Sequence, residues 1–201
     1  MQQKRGYQLK RRAERQAETR QRIAAATAEL HAEVGPAATT ISAIAERAGV
    51  ERLTVYRNFP DESDLLRACQ QHFLAAHPYP DLSAWASIAE PTERLRRALC
   101  ELYARYRETE AMTANILRDA PSMPALAALI TGIPAYYLAA CELLAAPFAV
   151  ASGRHPLLLA AIGHALDFET WRSLARRQGL ADEQAVELMV QFVARLAVPH
   201  E

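Results

Sequence analysis

Thr39-Thr40-Ile41-Ser42-Ala43-Ile44-Ala45-Glu46-Arg47-Ala48-Gly49-Val50-Glu51-Arg52-Leu53-Thr54-Val55-Tyr56-Arg57-Asn58-Phe59 is the stretch that decides the fold. Thr40 stands before an apolar run at helical spacing (Ile41, Ile44, Ala45, Ala48), where its hydroxyl suits a helix N-cap. Gly49 ends that run, because glycine enters the left-handed turn at little steric cost. A second short helix is predicted over residues 52–59, anchored inward by Val50 and Val55. Two short helices joined across a glycine, with Ala45 and Ala48 permitting close approach, make the helix-turn-helix pattern. Arg52, Thr54, Tyr56 and Arg57 then share the outer face, with hydrogen-bonding groups for phosphates and base edges. Thr40 adds a hydroxyl beside helix N–H groups, a natural phosphate contact. On these residues alone, a packed helical corner that never meets nucleic acid stays open.

Outward from this core, helices follow from period and punctuation. One is predicted over residues 17–34, with Ile23, Thr27, Leu30 and Val34 on one face and Gly35-Pro36 as its stop. Another opens at Asp61 or Ser63 and turns Leu65, Leu66, Cys69 and Phe73 inward. The run His77-Pro78-Tyr79-Pro80-Asp81 reads as a linker. Beyond it, Leu95, Leu99, Leu102, Tyr103 and Tyr106 form an amphipathic stripe, and further helices are expected over 124–150, 156–177 and 182–197. The last two carry apolar residues on two flanks, which implies burial on two sides: the chain's own core and a second subunit.

Composition agrees. Of 201 residues, 51% are hydrophobic and 41 are Ala, against 16 Val plus Ile, which points to an all-α protein. Lys+Arg and Asp+Glu balance at 23 each, too neutral for wholesale DNA compaction, yet residues 1–22 hold eight basic and two acidic side chains, net +6. A basic front end on a neutral chain suggests that one end meets a polyanion. Cys69, Cys100 and Cys141 are scattered and odd in number, which fits a reducing cytoplasm better than a disulfide scaffold. Residues 125–151 contain one charge, Glu142, but Gly132, Pro134 and Pro147 interrupt them; a buried or proline-broken helix of a soluble protein is expected, not a membrane span. The histidines form no H-E-x-x-H, and neither a glycine-rich phosphate loop nor a G-x-S-x-G elbow occurs. No catalytic residue, metal or cofactor is therefore expected.

The spacing Thr-Thr-Ile…Ile-Ala…Ala-Gly-Val…Thr-Val-Tyr-x-x-Phe, followed by an acidic helix start and Leu65-Leu66, resembles the DNA-binding domain of TetR-family transcriptional regulators. More loosely, Ala165-Leu166-Asp167-Phe168-Glu169-Thr170-Trp171-Arg172-Ser173-Leu174 and the final apolar helix look like the closing helix pair of one branch. The resemblance implies an N-terminal three-helix helix-turn-helix domain plus a larger helical effector-binding and dimerisation domain. Its expected limits here are a basic flexible arm over 1–16, the DNA-binding domain over 17–76 and the helical domain over 77–201. It implies phosphate contact by Thr40 and Tyr56, groove contact by Arg52 and Thr54, and assistance from Arg57 and Asn58. Two departures stand out: Glu62 replaces the family's phosphate-gripping lysine, and Leu53 replaces a small residue. The basic arm of residues 4–15 is the candidate to replace that contact, and Arg5, Arg11 and Arg12 are candidates to enter an adjacent minor groove.

The resemblance further implies a homodimer that binds a palindromic operator, most often as a repressor, and lets go when a small apolar or aromatic effector binds. Candidates for the dimer interface are Leu158, Ile162, Leu166, Val186, Met189, Val190, Val193 and Ala197. Candidates for the effector pocket are Tyr103, Tyr106, Met112, Asn115, Tyr136, Tyr137, Cys141, His164, Phe168 and Trp171. The competing readings are a DNA-compacting protein without an effector and, more distantly, a helical enzyme.

Overall fold

In a computed structural model, residues 2–197 are described, and every regular element among them is helical. In chain order these are α1 (Gln2–Glu33), α2 (Ile41–Ala48), α3 (Arg52–Asn58), α4 (Glu62–Ala76), α5 (Leu82–Ala86), α6 (Pro91–Asp119), α7 (Pro124–Leu129), α8 (Ile133–Ala145), α9 (His155–Leu166), α10 (Phe168–Arg172) and α11 (Asp182–Ala197). The side chains of two residues in the sequence reading, Arg5 and Ala197, lie outside the described set.

The chain forms two compact units. The first takes Met1–Pro78 and Glu110–Ile130; the second takes Tyr79–Thr109 and Thr131–Glu201. Where the sequence places one boundary near 76, the structure also gives the first unit a distant segment. The reason lies at the C-terminal end of α1, whose last carbonyls have no partner within the helix. The Asn115 amide donates to the His31 and Ala32 carbonyl oxygens at 2.9 Å each, and Arg118 donates to Val34 O at 3.1 Å. Asp119, itself buried, accepts from Ala37 N at 3.0 Å. Met112 packs with Ala28 and Cys69, and Leu126 of α7 with Leu66.

Gly35 makes the turn after α1 with φ 93°, and a Cβ there would overlap Arg118 Nη2 and Asp119 Oδ2. Gly35→Ala therefore combines a left-handed strain with a clash against this cap. We expect it to cost about 2 kcal/mol in urea unfolding; a cost within experimental error would show that the cap yields freely.

Three expectations about helix extent change. The single helix expected over 156–177 is broken at Asp167, whose extended backbone (ψ 136°) ends α9 and whose side chain caps α10 by accepting from Glu169 N and Thr170 N. α1 begins at Gln2 rather than near residue 17, where a flexible arm is expected. Gln, Lys, Arg, Ala and Glu dominate the segment, all strong helix formers that leave no apolar periodicity to read. The apolar stretch Pro124–Ala145 is the one among the described residues long and apolar enough to cross a membrane. A 3-10 turn at Ile130–Gly132 divides it, and the division falls at the boundary between the units. Burial of this stretch is partial, since Leu138 on α8 is 64% exposed.

Candidate nucleic-acid interface

The first unit is built to present α3. Ile23, Ala26 and Leu30 of α1, Ile44, Ala45 and Ala48 of α2, Val55 of α3, Phe59 and Leu65 form one buried cluster. Thr40 caps α2, its Oγ1 accepting from Ala43 N at 3.1 Å. The acceptor role leaves its hydroxyl hydrogen available to donate to a phosphate. Gly49 adopts φ 63°, ψ 43°, and Val50 N returns to Ala45 O at 2.9 Å, which closes α2 and redirects the chain into α3. Arg47 holds α2 against α1 through Glu33 (2.8 Å) and Glu29 (3.1 Å), so it is engaged in scaffolding.

With Val55 and Phe59 buried, the opposite side of α3 faces solvent. Arg52, Tyr56 and Arg57 are exposed, and Thr54 is half-buried beside them. Leu53 is 60% exposed in the middle of this face, among the groups that can reach base edges. In the sequence, Leu53 stands out only as a departure from the family pattern. The available signal is an apolar residue off the core stripe of a short helix, and such a side chain suits a thymine methyl.

Asn58 is a correction. Its amide donates to Thr54 O at 2.8 Å, its Oδ1 is buried without a hydrogen-bond partner, and its carbonyl receives Arg20 Nη1. Arg20 also lies over the Phe59 ring, 4.1 Å from the centroid. Both residues therefore close the end of α3 instead of facing a groove. At the start of α4, Asp61 caps through Ser63 N at 2.9 Å, and Glu62 stands exposed in the first turn.

The proposed interface stripe is a second correction. Leu158, Ile162 and Leu166 of α9, and Val186, Met189, Val190 and Val193 of α11, are all at most 8% exposed, because they fill the second unit's own interior. The outer apolar residues of these helices are Leu157, 50% exposed, Leu188, 45%, and Phe192, 44%. Ala160 and His164 continue the line on α9.

The expected pocket residues divide. Met112 and Asn115 belong to the first unit, because their stretch of α6 caps α1. In the second unit, ring contacts join Tyr103, Tyr106, Phe168 and Trp171. Tyr136 and Tyr137 pack edge to face, and the Tyr137 hydroxyl meets that of Tyr106 at 2.8 Å. Burial raises the phenols, Tyr137 to about 12, so they act as donors: Tyr103 to Ala165 O at 2.8 Å and Tyr106 to Leu166 O at 2.6 Å. Trp171 donates to Asp182 at 3.2 Å. Cys141 is half-buried, and exposed His164 bonds to Thr170 at 3.1 Å. Two members of the cluster escape the sequence reading: Tyr79, whose ring is 4.7 Å from that of Tyr136, and Arg105, 4.0 Å above the Tyr79 ring. The first hides in a proline-rich linker and the second behind its charge.

Residues 23–69 match the family model described as bacterial regulatory proteins, tetR family. That span holds the whole cluster around α2 and α3. These residues are thus similar to the N-terminal domain of the tetR family. The likeness to solved structures extends over most of the chain's length. A transcriptional regulator from Rhodococcus sp. Rha1 aligns over 88% of this chain and 96% of its own, with a TM-score of 0.59 and 21% identity. A TetR transcription regulator from Haloarcula marismortui aligns over 90% and 97%, with a TM-score of 0.59 and 18% identity. At such identities the likeness establishes the shared helical fold, the second unit included. No curated protein matches the chain.

Proposed function

We propose that this chain is a ligand-responsive transcriptional regulator, a cytoplasmic repressor that binds a palindromic operator as a homodimer and is released by a small apolar or aromatic effector. The observation that carries the reading is the outer face of α3, where Arg52, Leu53, Tyr56 and Arg57 stand exposed over a back that Val55 and Phe59 lock in place. Such a helix fills a major groove: Arg52 can pair with guanine O6 and N7, Leu53 can meet a thymine methyl, and Tyr56 and Thr40 can donate to phosphates. The outer line Leu157, Leu188 and Phe192 supports a dimer, since a two-fold axis through it covers apolar surface twice. The aromatic cluster of the second unit supports an apolar or aromatic effector, because rings with internally satisfied hydroxyls offer chiefly their faces.

The test is selection of duplexes from a random pool at about 150 mM salt, where specific binding exceeds non-specific binding by about 10³ or more. A palindrome should emerge, and compounds should then be screened for release. Recovery of unselected sequences would overturn the reading in favour of DNA compaction. Arg52→Ala should relax choice at one base pair in each half-site, at a cost of about 1–3 kcal/mol. Unchanged selectivity would remove Arg52 from the reading set.

A further inference from the structure

Arg105 of α6 is buried among the rings of the second unit, 8% exposed. Its guanidinium lies 4.0 Å from the centroid of the Tyr79 ring. Its charge also offsets part of the burial-driven rise of the Tyr79, Tyr136 and Tyr137 phenols, so all three stand within its reach. The rings are joined to one another. Tyr79 packs on Tyr136 at 4.7 Å and on Tyr137 at 6.3 Å, and the Tyr137 hydroxyl meets that of Tyr106. Tyr106 donates to Leu166 O and Tyr136 to Pro80 O at 3.0 Å, so these phenols commit their hydrogens to the backbone and offer ring faces to whatever enters. Tyr79, Tyr136 and Tyr137 are half-buried, which opens the group to the surface on their side.

A permanent charge in such surroundings is costly, where a methionine would fill the space without that penalty. Stacking on Tyr79 recovers part of the cost but engages only the face of the guanidinium. Its N–H donors lie in the plane, in a fork that matches a carboxylate. We infer that the effector is a monocarboxylic acid with an apolar or aromatic body, its carboxylate taken by the Arg105 fork and its body laid against Tyr79, Tyr136 and Tyr137. One guanidinium balances one negative charge. A second charge, as on a phosphate ester, would meet Glu101, which stands one turn earlier on α6 and near enough to raise the Tyr136 phenol. Glu101 is itself held by Trp85 Nε1 at 2.7 Å and Arg97 Nε at 2.5 Å. This inference rests on the second unit as the effector domain, and the experiment separates the two.

Full-length protein without DNA is titrated calorimetrically at neutral pH with phenylacetate, cinnamate, naphthoate and decanoate, each beside its primary amide. An acid should bind about ten- to a hundredfold more tightly than its amide, the gain expected of charge-assisted hydrogen bonds. Arg105→Met should bring acid and amide to within about twofold while amide binding persists, which reports an intact second unit. Arg105→Lys keeps the charge without the fork and should fall between the two. Should the Met variant unfold, the Lys variant decides, an undiminished preference there counting against the Arg105 fork. Amides that match their acids in the wild type, a panel in which no acid binds, or a preference for acids that survives in Arg105→Met would overturn the inference. If an acid binds through Arg105 but leaves the selected palindrome bound, the ligand class stands and the regulator reading falls. If a neutral aromatic binds and releases the palindrome while no acid does, the regulator reading stands and the inference falls.

Discussion

Leu188→Glu/Phe192→Glu should yield a folded monomer whose affinity for a palindromic duplex falls at least about a hundredfold. The two positions are one helical turn apart on α11 and point away from its buried residues Ala185, Val186, Met189, Val190 and Val193. A carboxylate there meets water in the monomer, so the fold loses little. In a two-fold dimer the same surface faces itself, and four carboxylates would be driven into an apolar contact without partners. The buried surface is lost as well, at about 1.5–3 kcal/mol for each large side chain. Once the dimer dissociates, each reading head binds alone and the gain from linking two sites, about 10²–10⁴, disappears. Sedimentation measures the mass, circular dichroism the fold, and a binding titration the affinity. A dimer that persists in the double variant would place the partner surface elsewhere. Ile162→Glu provides the contrast: that side chain has no exposure, so its carboxylate should unfold the second unit instead of dissociating two intact ones.

That contrast shows where the sequence is legible. Thr40, Gly49 and Val55 obey rules that act over three or four residues (a cap, a left-handed turn, an apolar period), and each occupies the place those rules predict. α9 and α11 are apolar on two flanks, and periodicity alone does not say which flank the chain covers itself; adjacent Leu157 and Leu158 come out 50% and 0% exposed. Asn115 illustrates a different limit. Its role is set by carbonyls more than 80 residues earlier, and no local pattern marks an asparagine in the middle of a long helix as the cap of another. Asn58 misleads for the opposite reason, since its neighbours on a short exposed helix suggest an outward direction that its own hydrogen bond to Thr54 reverses.

His31 should make the first unit acid-labile, with a loss of about 3 kcal/mol between pH 7 and pH 4. The ring is 4% exposed, and its Nδ1 lies 3.5 Å from Cys69 Sγ, whose thiol burial pushes up to about 12. Desolvation lowers His31 from 6.5 to about 4, with Asp119 opposing only in part, so the folded ring is neutral at pH 7. The unfolded chain takes up the proton near 6.5 and the folded chain near 4. Between those values the unfolded state binds more protons, so stability is complete above the upper one and falls as pH drops towards the lower. Asp119 acts in a separate, more acidic window: Arg118 and the Ala37 N–H hold it below its usual 3.8, so its contribution fades only below that value. His31→Leu removes the first window and keeps the second. Urea unfolding at pH 7, 5.5 and 4.5 should show a steep decline in the wild type and a nearly flat line in the variant. Parallel declines would mean that the ring gains its proton without cost, and that acid enters the domain by another route.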